Sequence, residues 1–346
     1  MDHSISRRGL LGVAGALAIG GTLAACGGTG TSGSEGGVTV YSADGLGDWY
    51  EKQFEQFRRT TGIEVALVES GSGEVVARAA KEISNPQVDL LVTLPPFIQR
   101  AADKDLLQPH GLDLPYLAPE DRDAGGLHAT FVKNYFTMIR NARQRDRIRG
   151  WDDLLEDRLH RKVQYSTPGQ SGDGTAMLLL LQHVMGKDRA LDYVSRLEAN
   201  NVGPSSSTGK LGPKVSTGEL DVANSDLQMA LAAVASDNLA YETFVPTHGG
   251  TATTISLPYT VGLAKNAPQP ANARRLIEFL LSKDVQTDLP RDAFGLPART
   301  DVQPTGPEME TIRRALDGVE TFSPDWDAIL PTFETDMKAY REAIAS

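Results

Sequence analysis

Tyr165-Ser166-Thr167-Pro168-Gly169-Gln170-Ser171-Gly172-Asp173-Gly174-Thr175 is the stretch on which the fold turns. A short extended run, 162–165, leads into it and an apolar run, 176–185, leads out. Between them lie three glycines, a proline and four hydroxyl-bearing residues. That is the pattern of a strand turning sharply into a helix N-terminus, where free backbone N–H groups can face a small anion. The loop holds no Lys or Arg, but it does hold Asp173. A pocket that offers neutral donors to an anion and keeps an acid nearby suits a zwitterion.

The same strand–loop–helix grammar recurs on both sides of this stretch. Residues 38–41 read as a strand ending in Ser42-Ala43-Asp44-Gly45. Residues 48–59 carry Trp49, Tyr50, Phe54 and Phe57 at helical spacing. A second strand, 63–68, runs into Glu69-Ser70-Gly71-Ser72-Gly73-Glu74 and a helix from Val75. Asn85-Pro86 breaks that helix before a third strand, 89–93, ending in Pro95-Pro96. The alternation predicts a parallel sheet covered by helices, with ligands at the carboxyl ends of its strands. Downstream, 130–140 reads as a strand and 151–155 as a short helix. The polar loop Asn200–Gly209, with Ser205, Ser206, Ser207 and Thr208, is a second anion-cradle candidate. A strand at 220–223 precedes Asn224-Ser225-Asp226, which opens a helix over 227–234. Residues 255–264 form a long strand containing Tyr259, 271–281 a helix, and the chain from Thr300 reads as loop and helices.

Two α/β blocks joined by strand-like crossings near 130–140 and 255–264 predict a two-lobed body with a cleft and a hinge. The expected division is lobe 1 over 38–133 plus about 256–300, lobe 2 over 134–255, and C-terminal helices over 301–346 packing on the lobes.

The net charge of −11 argues against nucleic acid and against docking on anionic lipid through a basic patch. Cys26 is the only cysteine, so no internal disulfide forms. Residues 1–25 read as an export signal: Arg7-Arg8, a Gly/Ala/Leu-rich segment, then Leu23-Ala24-Ala25 before Cys26. Leu-Ala-Ala-Cys has the form of a lipobox, which makes Cys26 the expected lipidation site and 26–37 a lipid-anchored tether. The Gly/Thr/Ser-rich part of that tether reaches roughly 18 Å by random-coil scaling. The six histidines are scattered without HExxH or zinc spacing, and no Gly-x-Ser-x-Gly elbow occurs. No enzyme, metal or cofactor is expected.

A lipobox, a tether and a two-lobed α/β body together resemble the substrate-binding protein of a bacterial ABC importer. The resemblance extends to Val38–Gly45, Asn85–Arg100, Gln164–Gln170 with Asp173-Gly174-Thr175, Ala199–Ser205 and Val222–Met229. These stretches are similar to the 2-aminoethylphosphonate-binding branch of the ferric-iron-type, family 1 extracellular solute-binding proteins. The resemblance implies a type II periplasmic-binding-protein fold, each lobe a mostly parallel sheet flanked by helices, with a hinge of two crossing strands. It implies an exported, lipid-anchored protein on the outer face of the cell membrane that passes solute to permease and ATPase subunits. The solute expected is zwitterionic or anionic, 2-aminoethylphosphonate itself. Ferric iron, thiamine, a polyamine or a sugar phosphate on the same scaffold, or a sensor or surface role without transport, are the alternatives. Iron is disfavoured because the stretch where ferric binders carry neighbouring tyrosines reads Asn224-Ser225-Asp226 here, and hydroxyls and amides are poor ligands for that ion. The phosphonate is expected at Ser42, Ser72, Gly73, Thr93, Thr167, Gly169, Gln170, Ser205, Ser206 and Ser207. The ammonium and ethylene chain are expected at Asp44, Asp173, Asp226, Tyr41 and Tyr259.

Overall fold

A computed structural model describes residues 36–345. The expected signal segment, Cys26 and the first part of the tether lie outside the described residues.

The chain enters through β1 (Val38–Ala43), α1 (Gly47–Thr61), β2 (Val65–Ser70), α2 (Ser72–Lys81), β3 (Leu90–Thr93), α3 (Phe97–Asp103), β4 (Leu107–Gln108) and β5 (His128–Lys133). The α1 helix shows how the pattern becomes structure. Trp49, Tyr50, Gln53, Phe54 and Phe57 recur every three or four residues and are its buried face. It stops at Gly62, whose φ of 75° is the left-handed geometry a glycine adopts without steric cost.

The chain then passes through β6 (Phe136–Asn141), β7 (Val163–Gln164), α4 (Gly172–Met185), α5 (Lys187–Leu197), α6 (Leu211–Thr217), β8 (Val222–Asp226), α7 (Leu227–Ser236), β9 (Tyr241–Phe244), β10 (Thr247–His248) and β11 (Thr251–Ile255). It returns as β12 (Tyr259–Ala264), α8 (Pro270–Leu280), α9 (Lys283–Ala293) and β13 (Leu296–Pro297). It ends in α10 (Pro307–Ala315), β14 (Glu320–Phe322) and α11 (Trp326–Ala345).

Two main sheets result. The first runs β13-β5-β12-β3-β1-β2, with β4 also on β12; the second runs β7-β8-β6-β9, and a small sheet β10-β11-β14 accompanies it. The strands that lead into the cleft loops pair in parallel: β1 with β2 and β3, and β7 with β8. The strands that cross between lobes, or lie beside the crossings, pair antiparallel, so each sheet is mixed.

The two crossings lie side by side. The expected strand 130–140 is interrupted at Asn134-Tyr135, and the expected strand 255–264 at 256–258, because at those points the chain leaves one sheet for the other. There Tyr135 pairs with Ser256, and the Leu257 N–H donates to the Asn134 carbonyl at 2.8 Å. This is a hinge of two strands in a two-lobed, type II architecture.

The segment α11 joins the two halves. Tyr340 Oη lies 3.3 Å from Tyr165 Oη, and Lys187 reaches Asp336 at 3.0 Å, both on the second lobe. On the first lobe, Phe333 meets the Phe97 ring edge-on at 5.8 Å between centroids, and the Arg100 guanidinium sits 4.4 Å over Phe333.

Candidate functional site

Five helix N-termini open on the cleft: α1, α2, α4 and α7 each start after a strand of these sheets ends, and α6 starts after a loop that follows α5. On the first lobe, α1 begins after Asp44-Gly45-Leu46 and α2 begins at Ser72. On the second, α4 begins at Gly172, α6 after the Ser205–Gly209 loop, and α7 at its N-cap Asp226.

The lobes touch directly at these ends. The Gly73 N–H donates to the Gln170 carbonyl at 2.8 Å. Gly172 needs to be glycine: a Cβ there would lie 2.7 Å from Leu94 Cβ and 2.8 Å from Ser72 Oγ, both across the cleft. Gly71 is similarly constrained, its Cβ position being 2.2 Å from the Ser206 carbonyl oxygen. Asp44 Oδ2 accepts a hydrogen bond from Ser207 Oγ at 2.5 Å and from the Gly209 N–H at 2.9 Å.

Behind this seam lies a cluster of acids. The Tyr259 hydroxyl sits 3.1 Å from Asp226 Oδ2 and 3.0 Å from the Asp44 carbonyl oxygen. Asp226 Oδ1 caps α7 by accepting the Met229 N–H at 2.7 Å. Asp173 Oδ2 accepts from Thr208 Oγ1 at 2.7 Å, whereas Asp173 Oδ1 is buried without a hydrogen-bond partner among the described residues. None of the three carboxylates belongs to an ion pair among the described residues. Burial pushes the Asp173 carboxyl well up, with the Asp226 charge adding to it and the Thr208 hydroxyl opposing it. Burial pushes Asp226 up to about 6, held from going higher by Asn134, the Met229 N–H and Tyr259. A buried carboxyl with an open oxygen and acidic neighbours is a place for a cation carrying its own hydrogen-bond donors.

Among the residues expected at the phosphonate, Ser72, Gly73, Gly169 and Gln170 meet at the cross-lobe contact. Thr167 and Ser205 hold each other: the Thr167 N–H donates to the Ser205 carbonyl at 2.7 Å, and the Ser205 N–H to Thr167 Oγ1 at 3.1 Å. Ser206 faces Gly71 and Ser207 holds Asp44. Thr93 Oγ1 donates to the Ser72 carbonyl at 3.2 Å, buttressing the start of α2. Two expected residues are not brought to the cleft. Ser42 Oγ is buried against Tyr50 Oη at 3.1 Å. Tyr41 donates to Glu82 at 2.7 Å, at the far end of α2, with Arg78 over its ring. Both lie within β1, and only the loop after that strand reaches the cleft.

Ser166, Thr208, Asn134 and Asn224 are not among the residues expected from the sequence at the ligand. Thr208 Oγ1 lies 2.9 Å from Ser166 Oγ and 3.0 Å from Ser171 Oγ, and Asn224 Nδ2 donates to Ser166 Oγ at 3.0 Å. Thr208 stood in the hydroxyl-rich loop already singled out. Asn224 lay hidden because the strand expected to end at 223 runs on to Asp226, which makes Asn224 a buried strand residue.

A cavity of about 460 Å³ opens beside the acid cluster, lined from both lobes and reaching Asp44 and Thr208.

Comparison with known proteins matches residues 38–292 to the family described as bacterial extracellular solute-binding protein. A protein of Salmonella typhimurium, provisionally named a 2-aminoethylphosphonate-binding periplasmic protein, is 44% identical over 320 residues, covering 90% of this chain and 94% of its own. Among solved structures, the periplasmic binding protein AfuA of Actinobacillus pleuropneumoniae, with exogenous fructose-6-phosphate bound, superposes with a TM-score of 0.73. It is 20% identical, over 90% of this chain and 97% of its own. A ferric binding protein of Campylobacter jejuni gives 0.71 at 17% identity, over 88% and 99%. The two structures share the fold.

Proposed function

The chain belongs to the bacterial extracellular solute-binding proteins, and from that premise we propose that its solute is 2-aminoethylphosphonate. As a family member it is the solute-binding component of an ABC importer, and its partners are a small solute and the permease with its ATPase. The name of the 44%-identical Salmonella relative supports this particular solute.

The observation that carries the reading is the charge pattern of the cleft. Asp44, Asp173 and Asp226 converge from both lobes with no Lys or Arg among the described residues paired to any of them, and the N-termini of α2 and α4 face each other beside them. Each helix terminus carries N–H groups without an intrahelical partner and favours an anion by roughly 0.3–1 kcal/mol when exposed; the Gly73 N–H, which donates to the Gln170 carbonyl, exchanges that bond for the phosphonate. The phosphonate goes to Ser72, Gly73 and the first turn of α4, with hydroxyls from Thr167 and Ser205–Ser207. The ammonium goes to Asp173 Oδ1 and Asp226, whose buried charge it compensates. Contacts from both lobes favour the closed state, which the permease then recognises. Lipidation at Cys26 keeps the body at the membrane.

Calorimetric titration with 2-aminoethylphosphonate, ethylphosphonate and phosphate tests the proposal. Binding of the first, with at least ten-fold weaker binding of the amine-free analogue (about 1.4 kcal/mol), is expected. Equal affinity for ethylphosphonate would remove the ammonium site from the account.

A further inference from the structure

The cavity beside the acid cluster is larger than a two-carbon aminophosphonate requires, and its wall has a composition of its own. Its volume of about 460 Å³ falls in the range of pockets that enclose drug-sized ligands. The first lobe contributes Asp48, Trp49 and Glu69, and the second contributes Gln228, Met229 and Ala232. Arg291, the one cation among the lining residues, is already committed, to Asp288 at 2.8 Å and Asp292 at 3.1 Å; Asp292 in turn holds Lys52 at 2.6 Å. Glu69 has no such neutralising partner among the described residues. Its carboxyl leans over Gly47 at the start of α1, where a Cβ would come within 3.0 Å of Oε2. Loss of solvent, then repulsion from Asp44, Asp48 and Glu51, pushes it up to about 7, although the side chain keeps substantial exposure. Two buried wall residues also hold a polar atom without a hydrogen-bond partner among the described residues, the donor Trp49 Nε1 and the acceptor Gln228 Oε1. Met229 and Ala232 give the space between an apolar side.

We infer that this cavity is a second subsite of the cleft, which takes the amine end of aminoalkylphosphonates longer than the two-carbon compound. The inference rests on the reading that the phosphonate sits at the N-termini of α2 and α4. A longer methylene chain runs past Asp44 and Thr208 along Met229 and Ala232, and its ammonium ends at Glu69 and Asp48. An acidic wall with an apolar flank recognises an alkylammonium and repels a second anionic group.

Titration of the full-length protein with 2-aminoethylphosphonate, 4-aminobutylphosphonate and butylphosphonate tests this. The four-carbon amine is expected to bind within about ten-fold of the two-carbon one, and butylphosphonate more weakly than either. Glu69→Gln and, separately, Ala232→Phe should each shift the ratio of the two amine dissociation constants by about five-fold or more against the longer compound. Binding of the two-carbon amine without the four-carbon one overturns this inference and leaves the proposed function standing. Failure of both overturns both. Equal binding of butylphosphonate and 4-aminobutylphosphonate, or an unchanged ratio in both variants, overturns the acidic subsite alone.

Discussion

Replacing Gly172 with alanine should act on closure and on little else. The residue opens α4 without a positive φ, so alanine suits the local backbone. The added methyl would stand 2.7 Å from Leu94 Cβ and 2.8 Å from Ser72 Oγ, where ordinary contact begins near 3.4 Å. The shortfall to Leu94 is 3.4 − 2.7 = 0.7 Å. Leu94 Cβ cannot rotate away, so the lobes have to part by about that much. Overpacking of this kind costs about 1–3 kcal/mol, and here the cost falls on the closed state alone. Solute affinity should therefore drop about 5- to 150-fold. The melting temperature of the solute-free protein should stay put, because opening relieves the clash. Calorimetry with differential scanning of the unliganded variant reads both quantities. An affinity within two-fold of the parent would refute the proposition that the solute-bound lobes meet at Gly172. A large fall in the unliganded melting temperature would show that the methyl disturbs the second lobe itself. Gly174→Ala is the contrasting control: its Cβ would lie 1.9 Å from the Ser166 carbonyl oxygen within one lobe, so the fold itself should lose stability.

Asp226 should make the empty protein less stable as pH rises. Its folded pKa of about 6 lies above the ordinary value of 3.8, so the folded state holds the proton more tightly than the unfolded one. The penalty is absent below about pH 3.8, grows between 3.8 and 6, and is complete above 6. Asp226→Asn should therefore melt higher than the parent at pH 7 by a margin that vanishes near pH 4. The asparagine can still cap α7, and its amide can donate to Tyr259 Oη while that hydroxyl donates to the Asp44 carbonyl. A margin independent of pH across that window would contradict the assignment. Tyr41→Phe should leave solute affinity within two-fold in calorimetry, since the lost hydroxyl bonds Glu82 outside the cleft; a loss of ten-fold or more would return Tyr41 to the site.

The alternation of strand, glycine-rich loop and helix was legible from residue patterns alone, because periodicity and turn chemistry are local. It puts Asp44, Ser72, Asp173 and Asp226 at or just beyond the carboxyl ends of strands, the end of such a sheet where ligands are expected. What periodicity could not supply was pairing direction and the exact places where strands stop. The runs at 130–140 and 255–264 look continuous, yet each divides where it changes sheet. The strand β14 was read as part of a helical tail, because three residues are too short for alternation to register and its partner β11 is remote in sequence. Tyr41 and Ser42 illustrate the same limit at the site. One or two residues' distance from the end of β1 separates a lobe interior from a cleft, and no sequence rule fixes strand ends that closely. Thr208 and Asn224 acquire their roles through long-range contacts, such as those across 42 and 58 positions with Ser166.

The bridge made by α11 has a consequence for anyone who would build with this protein. Glu334 and Phe333 grip Arg100 and Phe97 of the first lobe, while Asp336, Met337 and Tyr340 ride on the second. The fraction of molecules poised to close thus depends partly on a seam in which none of the three acids takes part, and apparent affinity scales with that fraction. The terminal helix is therefore a dial: the exposed Glu334, which pairs with Arg100 of the first lobe, offers a way to set the working range of a fluorescent sensor without altering which solute it recognises.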